Sequence, residues 1–411
     1  MVTRMIILGA LARGASALVG FPEALLKQLS EDKKNKAHMN PPDCDTTFVE
    51  QEHTAQAATD DLVAAGWEVT DGHMIFTSAH SFGNNPSSVY GLFFFHDFPL
   101  FQMGEMDAIM WLGCTPPDLE YFSARSYVFS KSARTQDPIK SEVVEFASLG
   151  DAMNNLRFNS TGGSRSPDNQ NRSSAIIISG NQPSAGALAD ALEANGFPRA
   201  AVNYDWMPPS ILNMDSPHTP FDLNLVPESY QFLFRVSLFR DAAAGERYAN
   251  SAFPLRMFKA PSGIPEDLIP VPTQLARGTG TNEEAWRGGL ENLTTSSESF
   301  WAAKGCANAR TVDLYPIDIE GLLDCVPNIK QCGGDNRDAA YFSDYDASYT
   351  LQPEGNASFL LVTGVNHNAS GKATYANVVV ETAPPGDGVF NATCNGRIGV
   401  DSTVSGLPVW M

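Results

Sequence analysis

Tyr121, Ser123, Arg125, Tyr127 and Phe129 recur at every second position of one run, and side chains two apart on a strand share a face. One guanidinium is thereby set between two phenols. Charge-assisted donors flanked by π faces can hold a carboxylate or sulfate, so Tyr121, Arg125 and Tyr127 are expected to orient an anionic substrate. The plainer alternative is a surface ladder in which Arg125 stacks on its neighbours. A second candidate is His367, in the loop GVNHNASGKATY at 364–375, where an imidazole can act as a general base or bind a metal. This loop is not a Walker A sequence, because six residues separate Gly364 from Gly371 and Ala373 follows Lys372. The third is the group Asp335, Asp338, Asp344 and Asp346 beside Gly333 and Gly334. Such oxygen-rich loops can take calcium, the one cofactor the sequence suggests. The EF-hand pattern fails because Tyr349 stands where the turn glycine would fall relative to Asp344. Alternatively, Arg337 simply pairs with its flanking aspartates. His73, His80 and His96 form a looser set that could meet His367 or Glu105 on a divalent metal, but their spacing is nonspecific.

No nucleophile is evident. Gly150-Asp151-Ala152 resembles the Gly-Asp-Ser opening of the SGNH hydrolases, with Asn154 and Asn155 nearby. Alanine occupies the position of their serine, so the resemblance carries no chemistry. A Gly-x-Ser-x-Gly elbow is also missing. Cys114, next but one to Pro116-Pro117, is the remaining thiol candidate, and an even cysteine count argues that it is bridged.

The chain has 411 residues, 43% of them hydrophobic, enough for one large domain or two to three smaller ones. Acidic residues number 47 against 27 basic, a net charge of −20. That sign disfavours nucleic acid and anionic membranes as partners and suits cationic small molecules or calcium. Cys44, Cys114, Cys306, Cys325, Cys332 and Cys394 include no CxxC pair and no zinc-like spacing. Disulfides are therefore expected, with Cys325 and Cys332 close enough for a local loop. Asn159, Asn171, Asn292, Asn356, Asn368 and Asn391 each open an Asn-x-Ser/Thr sequon. Arg4, the apolar Met5–Ala12 run and the small-x-small Ala15-Ser16-Ala17 have the order of a signal peptide, although Arg13 keeps the apolar run short. Together these features predict a secreted glycoprotein. No transmembrane span is expected, since no run of apolar residues is long enough.

The elements that must position these groups are legible in outline. Ala55–Trp67 has helical spacing, and strand-like runs fall at Met74–Thr77, Val89–His96, Asp107–Leu112, Tyr121–Phe129 and Val143–Leu149. Asp151 is placed to cap a helix over Ala152–Leu156, and Asn159–Ser174 has the polar composition of an exposed loop. Ala175–Ser179, a helix from Ser184 to Gly196, and Ala200–Tyr204 predict a βαβ unit. Strand Phe232–Phe239, helix Asp241–Asn250 and strand Leu255–Lys259 follow. After a Pro/Gly-rich crossing and a helix over Asn282–Ala303, short strands are expected at Ser348–Leu351, Phe359–Thr363 and Thr374–Glu381.

The fold class expected is therefore α+β or α/β. Residues 1–45 form a signal-like segment and polar arm, 46–260 a mixed-sheet domain, 261–310 the crossing and helix, and 311–411 a smaller β-rich, disulfide-containing C-terminal region. The expected function is an extracellular hydrolase or lyase acting on a small anionic or carbohydrate substrate. Its rival is a noncatalytic calcium- or sugar-binding or structural protein.

Overall fold

The computed structural model describes residues 44, 48–77, 88–96, 99–133, 141–210, 228–275, 283–306, 314–317, 321–328, 330, 332–343, 361–367, 370, 372–373, 377–381 and 397–401. The signal-like segment, His80, Asp344, Asp346, Cys394, the sequons at Asn356, Asn368 and Asn391, and the run Ser348–Leu351 lie outside them.

Ten strands make one mixed sheet: β1 (Glu68–Thr77), β2 (Ser88–Phe95), β3 (Ala108–Cys114), β4 (Leu119–Ala133), β5 (Ser141–Ser148), β6 (Met153–Asn154), β7 (Ser173–Ser179), β8 (Val202–Trp206), β9 (Glu228–Phe239) and β10 (Pro254–Lys259). Their order is β5-β4-β9-β2-β1-β10-β3-β7-β8, with β6 beside β4. All pairs are antiparallel except β7 with β8, which run parallel with helix α2 (Gln182–Ala194) between them in sequence. The architecture is α+β.

The sheet is rolled. Trp111 on β3 and Phe234 on β9 are four strand steps apart, about 19 Å in a flat sheet, yet their ring centroids are 5.9 Å apart. A register shift at Val128/Ser130, seen against both β5 and β9, marks a bulge of the kind that bends a strand. Inside the roll lies an aromatic core: Phe76, Phe93, Trp111, Phe122, Phe158, Phe232 and Phe234. Alternation sends Ala108, Met110, Leu112, Ala175 and Ile177 outward, where α1 (Phe48–Ala64) and α2 cover them with Ala55, Ala58, Leu62, Leu188 and Leu192. Strands buried on both faces read as continuous apolar runs, which is why β3 and β7 look so in the sequence. Helix α3 (Ala242–Ala249) is capped by the Asp241 carboxylate, which accepts from the Ala243 and Ala244 amides. Cys44 and Cys114 pair with Cα atoms 6.2 Å apart, tying the chain ahead of α1 to β3.

Two expectations need correcting. Ala152–Leu156 is not helical: Met153 and Asn154 form β6, and Asp151 accepts from the distant Leu275 amide rather than capping a turn. Asn159–Ser174 is not simply an exposed loop. Asn169 is fully buried and donates its amide to the Asn155 and Phe158 carbonyls, and Asn203 joins Asn159 to β8.

Beyond the sheet, α4 (Arg287–Ala303) has no buried residue. Two short antiparallel pairs follow: β11 (Tyr315–Ile317) with β12 (Tyr341–Ser343), and β13 (Asn377–Glu381) with β14 (Arg397–Asp401). The strand expected at Phe359–Thr363 is not formed over its described part, 361–363. Cys325 and Cys332 form a second disulfide, with Cα atoms 6.1 Å apart, and Cys306 is free among the described residues. No helix of the described residues is long and apolar enough to cross a membrane.

Candidate functional site

Strand β4 carries the alternating ladder, and its inward residues Phe122, Ala124 and Val128 enter the aromatic core. The outward residues are not a surface ladder. Tyr121, Arg125 and Tyr127 are buried: a strap formed by the described residues of 321–343 crosses over the two tyrosines, and Arg125 is covered from β8. The strap joins the sheet through the Cys332 amide on the Glu145 carbonyl and the Gly334 amide on the Phe146 carbonyl. Its anchor is Asp335, whose carboxylate accepts from the Ser148 amide (2.7 Å), the Ser148 hydroxyl (2.6 Å) and the Gly321 amide (3.3 Å). Gly321 is needed there, since a Cβ would stand 2.6 Å from the Asp335 carboxylate and 2.7 Å from the Ser148 nitrogen. Burial pushes the Asp335 carboxyl above the usual range, and the Ser148 and Gly321 donors only partly offset this.

Under the strap, Tyr127 donates to the Asp335 carbonyl (2.7 Å) and accepts from Arg235 on β9 (2.6 Å). Tyr121 donates to Asp338 and accepts from the Asn336 amide and the Ser123 hydroxyl. Burial raises both phenols well above their ordinary range, so they stay protonated donors. Asp335 and Asp338, expected as calcium ligands, thus meet the two tyrosines. No group of three His, Cys, Asp or Glu side chains converges as a metal site among the described residues.

Arg125 takes part in a different structure. Its Nη1 is 2.6 Å from Asp205 on β8, and its Nη2 donates to the Trp206 carbonyl. The other Asp205 oxygen accepts from the Ser126 amide at 2.7 Å, filling a gap in the β4 ladder between β5 and β6. Strands β4 and β8 are seven steps apart in the sheet order, about 34 Å if flat. This ion pair therefore closes the roll. Full burial pushes the Asp205 carboxyl upward, with Arg125 and Ser126 opposing.

A cavity of about 210 Å³ opens at the same seam. Arg125, Arg157, Asp151, Tyr204, Trp206 and Gln274 contribute to its wall. Tyr204 and Trp206 share one face of β8, their rings stacked 5.1 Å apart at 5°. Arg157 donates to the Ala152 carbonyl and makes no ion pair among the described residues, although the Asp338 carboxyl feels its charge. Asp151 is held by Arg337 at 2.6 Å. Gly150 (φ +121°) lets the chain pass Arg125, where a Cβ would sit 3.0 Å from Nη2. The crossing reaches the cavity because Asn181 and Gly180, at the end of β7, hold Asp267 and Ile269.

His367 is not among the residues that line this cavity. Its Nδ1 is 2.9 Å from Glu283, which also accepts from the Ser370 hydroxyl at 2.8 Å. No described hydrogen bond or ion pair joins this group to Arg125 or to the Arg125 partners. His96 is exposed and His73 stacks on Phe94. The ladder reading thus pointed to Arg125, while Tyr204, Trp206, Arg157 and Gln274 went unremarked. The aromatic-x-aromatic alternation in VNYDW is a signal for Tyr204 and Trp206, and nothing local marks Arg157 or Gln274.

Fold and site together define an α+β protein with a rolled mixed sheet and a seam cavity. No protein-family model matches the chain, and neither does any curated protein or solved structure.

Proposed function

We propose that the chain is a secreted, disulfide-braced glycoprotein that binds a small anionic or carbohydrate ligand in the seam cavity without transforming it. The observation carrying this reading is the lining itself. A stacked aromatic pair stands beside two guanidinium groups in a protein of net charge −20, and pockets of this composition fix ligands by apolar contact plus a few polar groups. Asp151 is the one carboxyl among the described lining residues, and it is engaged by Arg337 and the Leu275 amide. A free acid or base for catalysis is therefore lacking at that wall. The two disulfides favour an oxidising compartment, and Asn292, exposed on α4, is the best-presented described sequon. In this reading β7, α2 and β8 form a βαβ unit, and 311–411 is a smaller β-rich region whose strap roofs the sheet.

The test is tryptophan fluorescence and thermal shift of the full chain against a panel of small sugars and organic acids, with Trp206→Ala as control. A saturable response lost in Trp206→Ala is expected; no response to any member of the panel rejects the reading. Mass spectrometry of native material is expected to show the Cys44–Cys114 and Cys325–Cys332 bridges and glycan on Asn292.

A hydrolase or lyase is the second reading, favoured by one feature. Glu283 is buried and holds Nδ1 of His367, while Nε2 has no partner among the described residues. A carboxylate bound to Nδ1–H leaves the Nε2 lone pair as a base. This reading requires turnover of a sugar or acid substrate that His367→Gln abolishes.

A further inference from the structure

Three buried polar atoms at the seam have no partner among the described residues, and with the guanidinium of Arg157 they describe a ligand. Arg125 leaves its buried Nε–H without an acceptor. Gln274 leaves both its amide nitrogen and its amide oxygen buried and without partners. Arg157 brings a guanidinium bonded only to the Ala152 carbonyl. Unsatisfied buried polar atoms destabilise a fold unless something bonds them, and these belong to residues that line one cavity.

Each group narrows the chemistry. Two guanidinium groups, one ion-paired with Asp205 and one in no ion pair among the described residues although Asp338 feels its charge, suit a single negative charge, best a carboxylate, which matches their planar donors. Gln274 needs an acceptor for its N–H and a donor for its oxygen at once. Sulfate and unprotonated phosphate offer acceptors only, whereas a hydroxyl offers both. The stacked rings of Tyr204 and Trp206 supply apolar aromatic surface at the wall, which suits the C–H groups of a saturated ring. The cavity, about 210 Å³, has room for a single small ring.

Building on the ligand-binding reading above, we infer that the seam cavity takes a single sugar acid, a monosaccharide ring bearing a carboxylate. The carboxylate faces Arg157 and the free Nε–H of Arg125, a ring hydroxyl pairs with both atoms of the Gln274 amide, and the ring lies against the aromatic pair. Specificity for acid over neutral sugar then rests on Arg157, and recognition of the hydroxyl on Gln274.

The experiment is isothermal titration of the full chain with D-glucuronate, D-glucose and acetate at low and high salt, repeated on Arg157→Met and Gln274→Leu. Glucuronate is expected to bind at least tenfold more tightly than glucose or acetate, the margin of one charged hydrogen bond, and to weaken with salt. Arg157→Met is expected to remove that margin and leave glucose binding as it was, while Gln274→Leu weakens both sugars and spares acetate. Arg157→Lys, which keeps the charge, serves as a second variant should the methionine form melt early. Glucose binding as tightly as glucuronate, or acetate binding as tightly as both, overturns the sugar-acid assignment while the ligand-binding reading stands. Absence of binding by all three also overturns it, and the broader panel above then decides the ligand-binding reading separately.

Discussion

Arg125 on β4 and Arg235 on β9 point outward from the same face of the sheet, since Arg235 lies opposite Ser123 in register and Ser123 and Arg125 are two apart. Both are buried. The seam gives Arg125 a full negative charge, Asp205, at 2.6 Å. Arg235 is met directly by neutral groups, the strap's Gly334 carbonyl, the Tyr127 hydroxyl on β4 and the faces of Tyr127 and Tyr90 at 5.1 and 5.8 Å, with the Asp335 and Asp338 carboxyls close enough to feel its charge. A charge pair concentrates the stabilisation in one bond that fails when either partner is lost. Neutral partners spread it, so each removal is tolerated better. The seam is therefore brittle and the strap graded.

Asp205→Ala breaks the first arrangement, leaving a buried guanidinium unmatched and the Ser126 amide without its acceptor. Urea denaturation is expected to show a loss of about 3–5 kcal/mol. The double variant Arg125→Met/Asp205→Leu sharpens the comparison by recovering most of that loss, because a hydrophobic pair of similar volume often substitutes without net penalty. Next in size is the strap's covalent loop. Replacing Cys325 and Cys332 by serine is expected to cost about 2.5 kcal/mol by loop entropy, read as a lower Tm with the seam cavity still binding. Tyr127→Phe removes one donor and one acceptor and is expected to cost about 1–2 kcal/mol, well under the seam variant. A loss equal to that of Asp205→Ala would erase the distinction.

The smallest effect is the pH response of Asp335. Burial raises its folded pKa above the ordinary aspartate value of 3.8, so the folded state holds the proton more tightly than the unfolded chain. Its contribution is complete below about that value and declines as pH rises through the raised folded pKa. Melting temperature against pH is expected to carry this downward slope in the wild type and to lose it in Asp335→Asn.

Local chemistry was readable wherever local forces decide. Ala175–Ser179 lies within a strand, and Asp241 caps α3 because its acceptor sits beside two unsatisfied amides. Asp151 looked equivalent but is claimed by Arg337 and Leu275, 186 and 124 residues away. Nothing local records that. Asn169 failed for a related reason, since polar composition signals solvent only where side-chain amides lack backbone carbonyls to bind. The alternation over β4 correctly put Tyr121, Arg125 and Tyr127 on one face, but could not reveal that a strap from residues 321–343 roofs it. It also could not place β8 against β4, which depends on how far the sheet rolls.

The closure of that roll has a kinetic signature. At the gap between β5 and β6, the Ser126 amide is bonded to a side-chain oxygen from β8 and not to a neighbouring strand. Deuterium uptake at this one amide therefore times the parting of β8 from β4, while its neighbours in the β4–β9 ladder report only global opening. A ligand bridging the two strands should slow that single exchange first, making Ser126 a resident clock for occupancy of the cavity.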